Sequence, residues 1–409
     1  MSAYTLLQPA EALAQSSTSS EPFHILSKCL LFQNFDEHEW WHKSGPMLAK
    51  MLAAAGYDLH RQCMHLCLYA LHVVPMMGPF PSIGQNGLYA TRFTGMGTLE
   101  LSTNFVPSRT TVRLSMEPIA FRATTSPNYC NRVILGTMLN RLKDVSIAMD
   151  LSLYYQLVER LTLTDEEETT LMSCEKTRST PFKSQAVVAL DFGKENILVK
   201  LSLIPTLKAL VTGISDSELI FSAVEVVDED RQFKDALAVL EAYCISLPNS
   251  ASVRWVCFDL VNPKTTRFKI YLLHMQVDFH RVIDLWTMGG RLQGAEIMAG
   301  LNLLRELWDT LGVSDEQHGS SDEPNQEGKP RHPFPKIYMP LQGISEMIIA
   351  KAVSTFIERH VNAEQGRSYI GNLSSFVPGL DLNKSTRLQV WLSFSYAEKT
   401  GPYLTMYYN

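Results

Sequence analysis

Short runs of strict alternation recur along the chain. In each, one face is apolar and the other carries charges, hydroxyls or phenols. Over residues 98–104 the polar face is Thr98, Glu100, Ser102 and Asn104; over 112–117 it is Arg113, Ser115 and Glu117. Residues 198–203 set Lys200 and Ser202 against Val199, Leu201 and Leu203, and residues 267–271 set Arg267, Lys269 and Tyr271 against Phe268 and Ile270. Residues 336–339 and 403–407 repeat the arrangement with Lys336 and Tyr338, then with Tyr403 and Tyr407. A period of two predicts strands whose two faces meet different surroundings. Between them, apolar residues fall at helical spacing. Trp40, Trp41, Met47, Leu48, Met51 and Leu52 precede Gly56, and a second helix is predicted from His60 to Val74, stopped by Pro75. Further helices are predicted over 131–150, 152–163, 215–231, 231–246, 279–288, 290–311 and 345–362.

Two architectures suit such strands. An open antiparallel sheet would turn the polar face to water. A closed α+β barrel would turn it into a lumen and cover the apolar outside with helices. The cations recur with a rhythm that favours the barrel: Arg113 to Lys200 is 87 residues, Lys200 to Lys269 is 69, and Lys269 to Lys336 is 67. A weak repeat of helices and strand pairs, each delivering one inward cation, fits this spacing. Arg113, Lys200, Arg267, Lys269 and Lys336 would then converge and repel one another, with Glu100 too little to offset them. The expectation is a polyanionic ligand, and a diphosphate suits it, since each charge-assisted hydrogen bond contributes about 1.5–3 kcal/mol. Tyr271, Tyr338, Trp391, Tyr403 and Tyr407 lie on the same faces. Aromatic faces attract positive charge and exclude water, so this combination suits ionisation of an allylic diphosphate beside a shielded carbocation.

Composition bounds this reading. The chain has 409 residues, 45% hydrophobic and 19% charged, which excludes disordered and coiled-coil classes. A formal charge of −6 gives no global field for nucleic acid. No apolar run reaches the roughly 18 residues of a membrane-spanning helix. The polar, Ser/Thr-rich start lacks the pattern of a secretory signal, and seven cysteines fit thiols of a reducing compartment, so a cytoplasmic protein is expected. The expected organisation is a flexible tail over 1–22 and a single domain over 23–409, with 313–335 as a Gly-, Ser- and Pro-rich surface loop.

Several segments resemble the fungal aromatic prenyltransferases of the dimethylallyltryptophan synthase type. They are Trp40-Trp41-His42-Lys43-Ser44-Gly45-Pro46-Met47-Leu48, Gly78-Pro79-Phe80-Pro81, Leu99-Glu100-Leu101-Ser102, Val112-Arg113 with Glu117-Pro118-Ile119, Lys269-Ile270-Tyr271, Thr287-Met288-Gly289-Gly290-Arg291, and Gly401-Pro402-Tyr403 with Tyr407-Tyr408. The match runs in one order from about residue 23 to the last. The resemblance implies a prenyltransferase barrel of about ten antiparallel strands inside a ring of helices. It implies metal-independent transfer of a dimethylallyl or longer prenyl group, such as geranyl, from its diphosphate to an indole-type acceptor in alkaloid biosynthesis, with no cofactor and no bound metal. It makes Glu100 the residue that holds the acceptor, Arg113, Lys200, Arg267 and Lys269 diphosphate ligands, and Tyr271, Tyr338, Tyr403 and Tyr407 the carbocation shield. Arg254 matches an arginine that reaches the carboxylate of tryptophan. The expected state is a monomer or homodimer, with no nucleic-acid or membrane partner. A phenolic acceptor, or a non-catalytic barrel binding isoprenoid or aromatic ligands, are the alternatives.

The chain also departs from that pattern. Ser202 and Ile204, assigned to the acceptor pocket, stand where tyrosines are expected; Trp391 replaces a tyrosine, Lys336 a glutamine, and Val187 a lysine. A bulkier indole, cyclic peptide or phenol is therefore expected in place of free tryptophan. His38-Glu39-Trp40-Trp41-His42 reads literally as a zinc motif but lacks a third ligand at the family spacing, and Pro46 is expected to end or bend its helix. Asp165-Glu166-Glu167-Glu168 reads as the first turn of a helix capped by Thr164, and Asp228-Glu229-Asp230 as a solvated turn.

Overall fold

The structure, a computed structural model, describes residues 21–81, 91–93, 97–120, 130–146, 148–173, 182–194, 196–248, 250–275, 278–312 and 333–409. Nearly all of the expected tail and most of the 313–335 loop lie outside the described residues. Nine strands form one antiparallel sheet: β1 (Leu99–Val106), β2 (Arg109–Met116), β3 (Ala186–Phe192), β4 (Ile197–Leu203), β5 (Ala251–Asp259), β6 (Phe268–His274), β7 (Ile337–Pro340), β8 (Gln389–Ala397) and β9 (Gly401–Tyr408). Their order is β6-β5-β4-β3-β2-β1-β9-β8-β7. The count is nine among the described residues rather than about ten. The ends β6 and β7 are brought together by side chains: the Tyr271 and Tyr338 hydroxyls are 3.1 Å apart and their rings 5.4 Å. The sheet therefore curls into a barrel with a seam between β6 and β7.

The alternation decides which side is inside. Leu114, Val188, Leu190, Leu201, Phe258, Phe394, Leu404 and Met406 are fully buried beneath the helices. Each contributes on the order of 1.5–3 kcal/mol through the apolar area it removes from water. Helix Phe279–Thr287 lays Trp286 against Phe394 at 5.7 Å, and helix Glu346–His360 lays Phe356 against the same ring at 5.9 Å. Helix Ala363–Phe376, absent from the periodicity reading, packs Tyr369 on Phe105 and Phe376 on Tyr408. The repeat expected from the cation spacing holds for its first three cations: β2, β4 and β6 are the second strands of three hairpins and carry Arg113, Lys200 and Lys269, whereas Lys336 lies just before β7, which pairs with β8 instead.

Several boundaries differ. Helix Phe35–Ala54 continues through Pro46, a position where the missing N–H costs one ladder bond without ending the helix. It carries the whole His38–His42 motif, with Trp40 and Trp41 buried and donating to the Gly78 carbonyl and the Ser27 hydroxyl, both at 2.9 Å. The helix expected over 131–150 is only Val133–Lys143, because the chain turns to set Ser146 against the Ile197 carbonyl and the Asp150 amide against that of Leu260. Helix Asp165–Ser173 does begin with a reciprocal cap between Thr164 and Glu167. Asp228 is a correction: it is buried, not solvated, because its carboxylate accepts the Gln232 and Phe233 amides at 2.8 Å. Among the described residues no helix is long and apolar enough to cross a membrane.

Candidate active site

The lumen face of the β2–β5 half carries a row of alternating charges. Arg113 donates through Nε and Nη2 to the two oxygens of Asp191, its partner across the β2–β3 ladder, with the Nη2 bond at 3.0 Å. Asp191 also lies 3.0 Å from Lys200 Nζ, and Lys200 lies 3.4 Å from Asp259 on β5. Asp259 in turn accepts two bonds from Arg267, at 2.9 and 2.8 Å. Burial alone would raise the Asp191 pKa, but Arg113 and Lys200 outweigh it and hold the carboxyl well below its ordinary range. The expected set of five cations offset by Glu100 alone is thus corrected: Asp191 and Asp259 tie three of them. Arg267 also sits at the rim, its side chain 64% exposed, rather than deep in the lumen.

Lys269 and Lys336 stand outside this row. Among the described residues neither has a carboxylate within ion-pair distance. Burial depresses Lys269 to about 8; Cys257 opposes this, and Lys200, Arg113 and Arg267 add to it. Lys336 is pushed well below the usual lysine range by burial, then by Lys269, Arg113 and Lys200. Its ammonium sits 4.4 Å from the Tyr403 ring centre and 5.5 Å from that of Tyr338, and 3.4 Å from Thr405 Oγ1. Cation–π attraction and one hydroxyl thus replace a counter-charge.

An aromatic wall continues from there. Trp255 stacks on Tyr271 at 5.0 Å, Tyr271 leans on Tyr338, and Tyr338 lies 6.0 Å from Tyr407. Trp391 occupies the register position opposite Tyr407, so it shares that face. Tyr271, Tyr338 and Tyr407 all lie within electrostatic reach of Arg113, so rings and cations face one lumen.

Glu100 is buried on β1, opposite Ser115, and burial raises its carboxyl to about 8 despite Arg113. Glu117, two residues past Ser115 on the same face, accepts the Arg92 amide at 2.5 Å and is also raised by burial. Ser202 faces Val187 on one side and Cys257 on the other, two residues along the same face from Lys200. Ile204 is buried just past β4, its amide bonded to Gln185 O at 2.9 Å. A β-bulge between Val253 and Trp255 leaves Arg254 outside the ladder, and its guanidinium lies 4.0 Å from Asp216.

Sequence reasoning missed Asp191, Asp259 and Trp255. Both aspartates end runs that read as uniformly apolar, so no alternation marked their faces. The first is revealed by its pairing with Arg113, 78 residues away, and with Lys200 across the β3–β4 hairpin. Among the described residues no three His, Cys, Asp or Glu side chains are grouped to hold a metal ion.

Comparison with known proteins agrees with this geometry. The profile of the family described as tryptophan dimethylallyltransferase matches residues 36–372. The roquefortine prenyltransferase of Penicillium rubens is 37% identical, the alignment covering 100% of both chains. The tryptophan dimethylallyltransferase of Arthroderma otae is 32% identical over 94% of this chain and 90% of its own. Among solved structures, AnaPT from Neosartorya fischeri superposes with a TM-score of 0.84 at 27% identity, covering 95% of this chain and 97% of that one. NotF, solved in complex with brevianamide F and DMSPP, gives 0.82 at 28% identity, covering 95% and 98%.

Proposed function

Because the chain belongs to the tryptophan dimethylallyltransferase family and is a prenyltransferase, we propose that its lumen ionises dimethylallyl diphosphate and presents the allylic cation to an indole-bearing acceptor. The single observation that carries this reading is the cation row set beside the aromatic wall in one lumen. The C1–O bond of the donor breaks and its electron pair leaves with the diphosphate, whose growing charge meets Arg113, Lys200, Arg267, Lys269 and Lys336. The five-carbon cation is left against Tyr271, Tyr338, Tyr403, Tyr407 and Trp391, whose faces stabilise it and exclude water. An aromatic carbon supplies the electron pair of the new bond, and the proton it then loses leaves with the released diphosphate. Glu100 accepts the hydrogen bond of the acceptor N–H, which raises the nucleophilicity of the ring and fixes its pose.

A neutral, bulky indole such as a tryptophan-containing cyclic dipeptide fits better than the free amino acid. Ser202 and Ile204 leave room that tyrosines would fill. Arg254, the group suited to a free carboxylate, is turned to Asp216. One of the solved relatives holds brevianamide F with DMSPP, which supports the same acceptor class. The five side-chain cations take the charge-neutralising part that Mg²⁺ plays elsewhere, so turnover is expected to survive a chelator. The test is product mass spectrometry with dimethylallyl or geranyl diphosphate against free tryptophan, a tryptophan-containing cyclic dipeptide and a phenol, each with and without EDTA. The dimethylallylated cyclic dipeptide is expected to dominate in both conditions. Free tryptophan as the best acceptor would overturn the acceptor assignment, and activity lost to EDTA and restored by Mg²⁺ would overturn the metal-free one.

A further inference from the structure

Every oxygen of the two lumen aspartates is engaged by a cation. Asp191 Oδ1 takes Arg113 Nε, and Oδ2 takes both Arg113 Nη2 and Lys200; Asp259 Oδ1 faces Lys200, and Oδ2 takes Nε and Nη2 of Arg267. Each arginine therefore presents its Nε–Nη2 edge to a carboxylate, the edge that is also suited to two phosphate oxygens. The aspartate side chains are only 15% and 7% exposed, so water screens the contacts to Arg113 and Lys200 little and that to the exposed Arg267 more. Without the aspartates, which stand on the intervening strands β3 and β5, three like charges would repel and splay. With them, the cations stand at fixed positions before the donor arrives, and a diphosphate must share them.

Resting on the diphosphate reading of this site, we propose that Asp191 and Asp259 are positioning residues that compete with the diphosphate for Arg113, Lys200 and Arg267. Their competition weakens the hold on the released diphosphate and so speeds its departure. The two roles come from one geometry. A fixed cation row lowers the reorganisation needed at ionisation, and the carboxylate charge inside it opposes the product, whose release limits turnover in many enzymes. Carboxylates that served only to stabilise the fold would predict the reverse on removal: a looser row and weaker diphosphate binding.

Inorganic pyrophosphate is the probe. In the parent enzyme it should inhibit competitively against the prenyl diphosphate; no such inhibition would remove the site reading and this inference with it. Asp259→Asn should then lower the pyrophosphate inhibition constant by about tenfold, the scale of one unit-charge repulsion across several ångströms of partly screened protein. Its kcat should fall several-fold while donor KM falls too. Asp259→Glu, which restores the charge, should return both constants to within about threefold of the parent. Asp191→Asn should move in the same direction. For a variant that does not stay folded alone, thermal unfolding at rising pyrophosphate concentration gives the same reading, because a tighter ligand raises the transition further at each concentration. Unchanged or weakened pyrophosphate binding in both asparagine variants would overturn the proposal while leaving the diphosphate site in place.

Discussion

The two halves of the barrel wall solve the problem of buried charge in opposite ways. On β2–β5, Arg113 and Lys200 are held by Asp191 and Asp259, so positive charge is matched by negative charge supplied by the chain itself. On the β6–β7–β9 side, Lys269 and Lys336 have aromatic faces, a thiol and a hydroxyl for company, and both are driven toward the neutral form. The first half has its charges paired before any ligand binds. The second carries charge that burial and its neighbouring cations disfavour, and that an arriving anion would stabilise. A site can thus be ordered and ligand-dependent at once, provided the two properties are placed on different strands.

Breaking the first half should have the largest effect. Lys200→Met leaves two buried carboxylates short of a partner, and about 3–5 kcal/mol of stability should be lost in chemical denaturation, together with donor binding. Glu100 sits on β1, where the halves meet. Glu100→Gln should lower turnover on the true acceptor on the order of 10²-fold with donor KM little changed, as measured by steady-state kinetics; parent-like turnover would end its assigned role. Lys336→Met tests the second half by contrast with Lys200→Met. Stability should hold or rise, since a buried ammonium without a carboxylate is removed, while donor KM rises about tenfold or more for one lost charge-assisted contact.

pH sharpens the comparison further. As pH rises through about 8, Lys269 loses its proton, so kcat/KM for the donor should decline there. The kcat profile should hold to higher pH, because a bound diphosphate favours the ammonium. Glu100, raised to about 8, is protonated below that value, so kcat/KM for the acceptor should climb toward pH 8, a limb that Glu100→Gln should lack. The same shifts bear on stability in opposite senses. The contribution of Glu100 is full below the ordinary carboxylate range and is lost as pH rises to about 8. That of Lys269 is full above the ordinary lysine range and is lost as pH falls to about 8. The smallest effect is expected at the seam, where Tyr271→Phe removes one hydroxyl contact to Tyr338 and should cost about 1 kcal/mol or less by thermal unfolding.

Much of this organisation was legible in the residue order. Alternation placed Glu100, Arg113, Lys200, Lys269, Tyr271, Tyr338 and Tyr407 on lumen faces, because a strand with unlike surroundings leaves that mark. It was blind to β3, where Val187 and Ala189 face the lumen as apolar residues and Asp191 is the only polar clue. It could not foresee that Arg254 falls in a bulge, since one extra residue shifts every later face without any local signal. Charge balance was misjudged because the neutralising carboxylates stand on β3 and β5, next to apolar runs that carry no alternation to mark the lumen face.

The sheet order carries one more consequence, for how the chain acquires its shape. β9 is the strand that links β1 to β8, so the final segment of the chain joins a six-stranded piece to the β8–β7 ribbon. The Thr405 hydroxyl reaches Asn104 across 301 residues. Translation at about 5–20 residues per second leaves the free ladder edge of β1 waiting for roughly a quarter of a minute to a minute before its partner is made. Long-range closure of this kind is slow and leaves an edge open to wrong partners in the meantime. The polar inward row of β1, with Glu100 and Asn104, gives that edge a face that hydrates well until Gly401–Tyr408 arrives as the keystone of the ring.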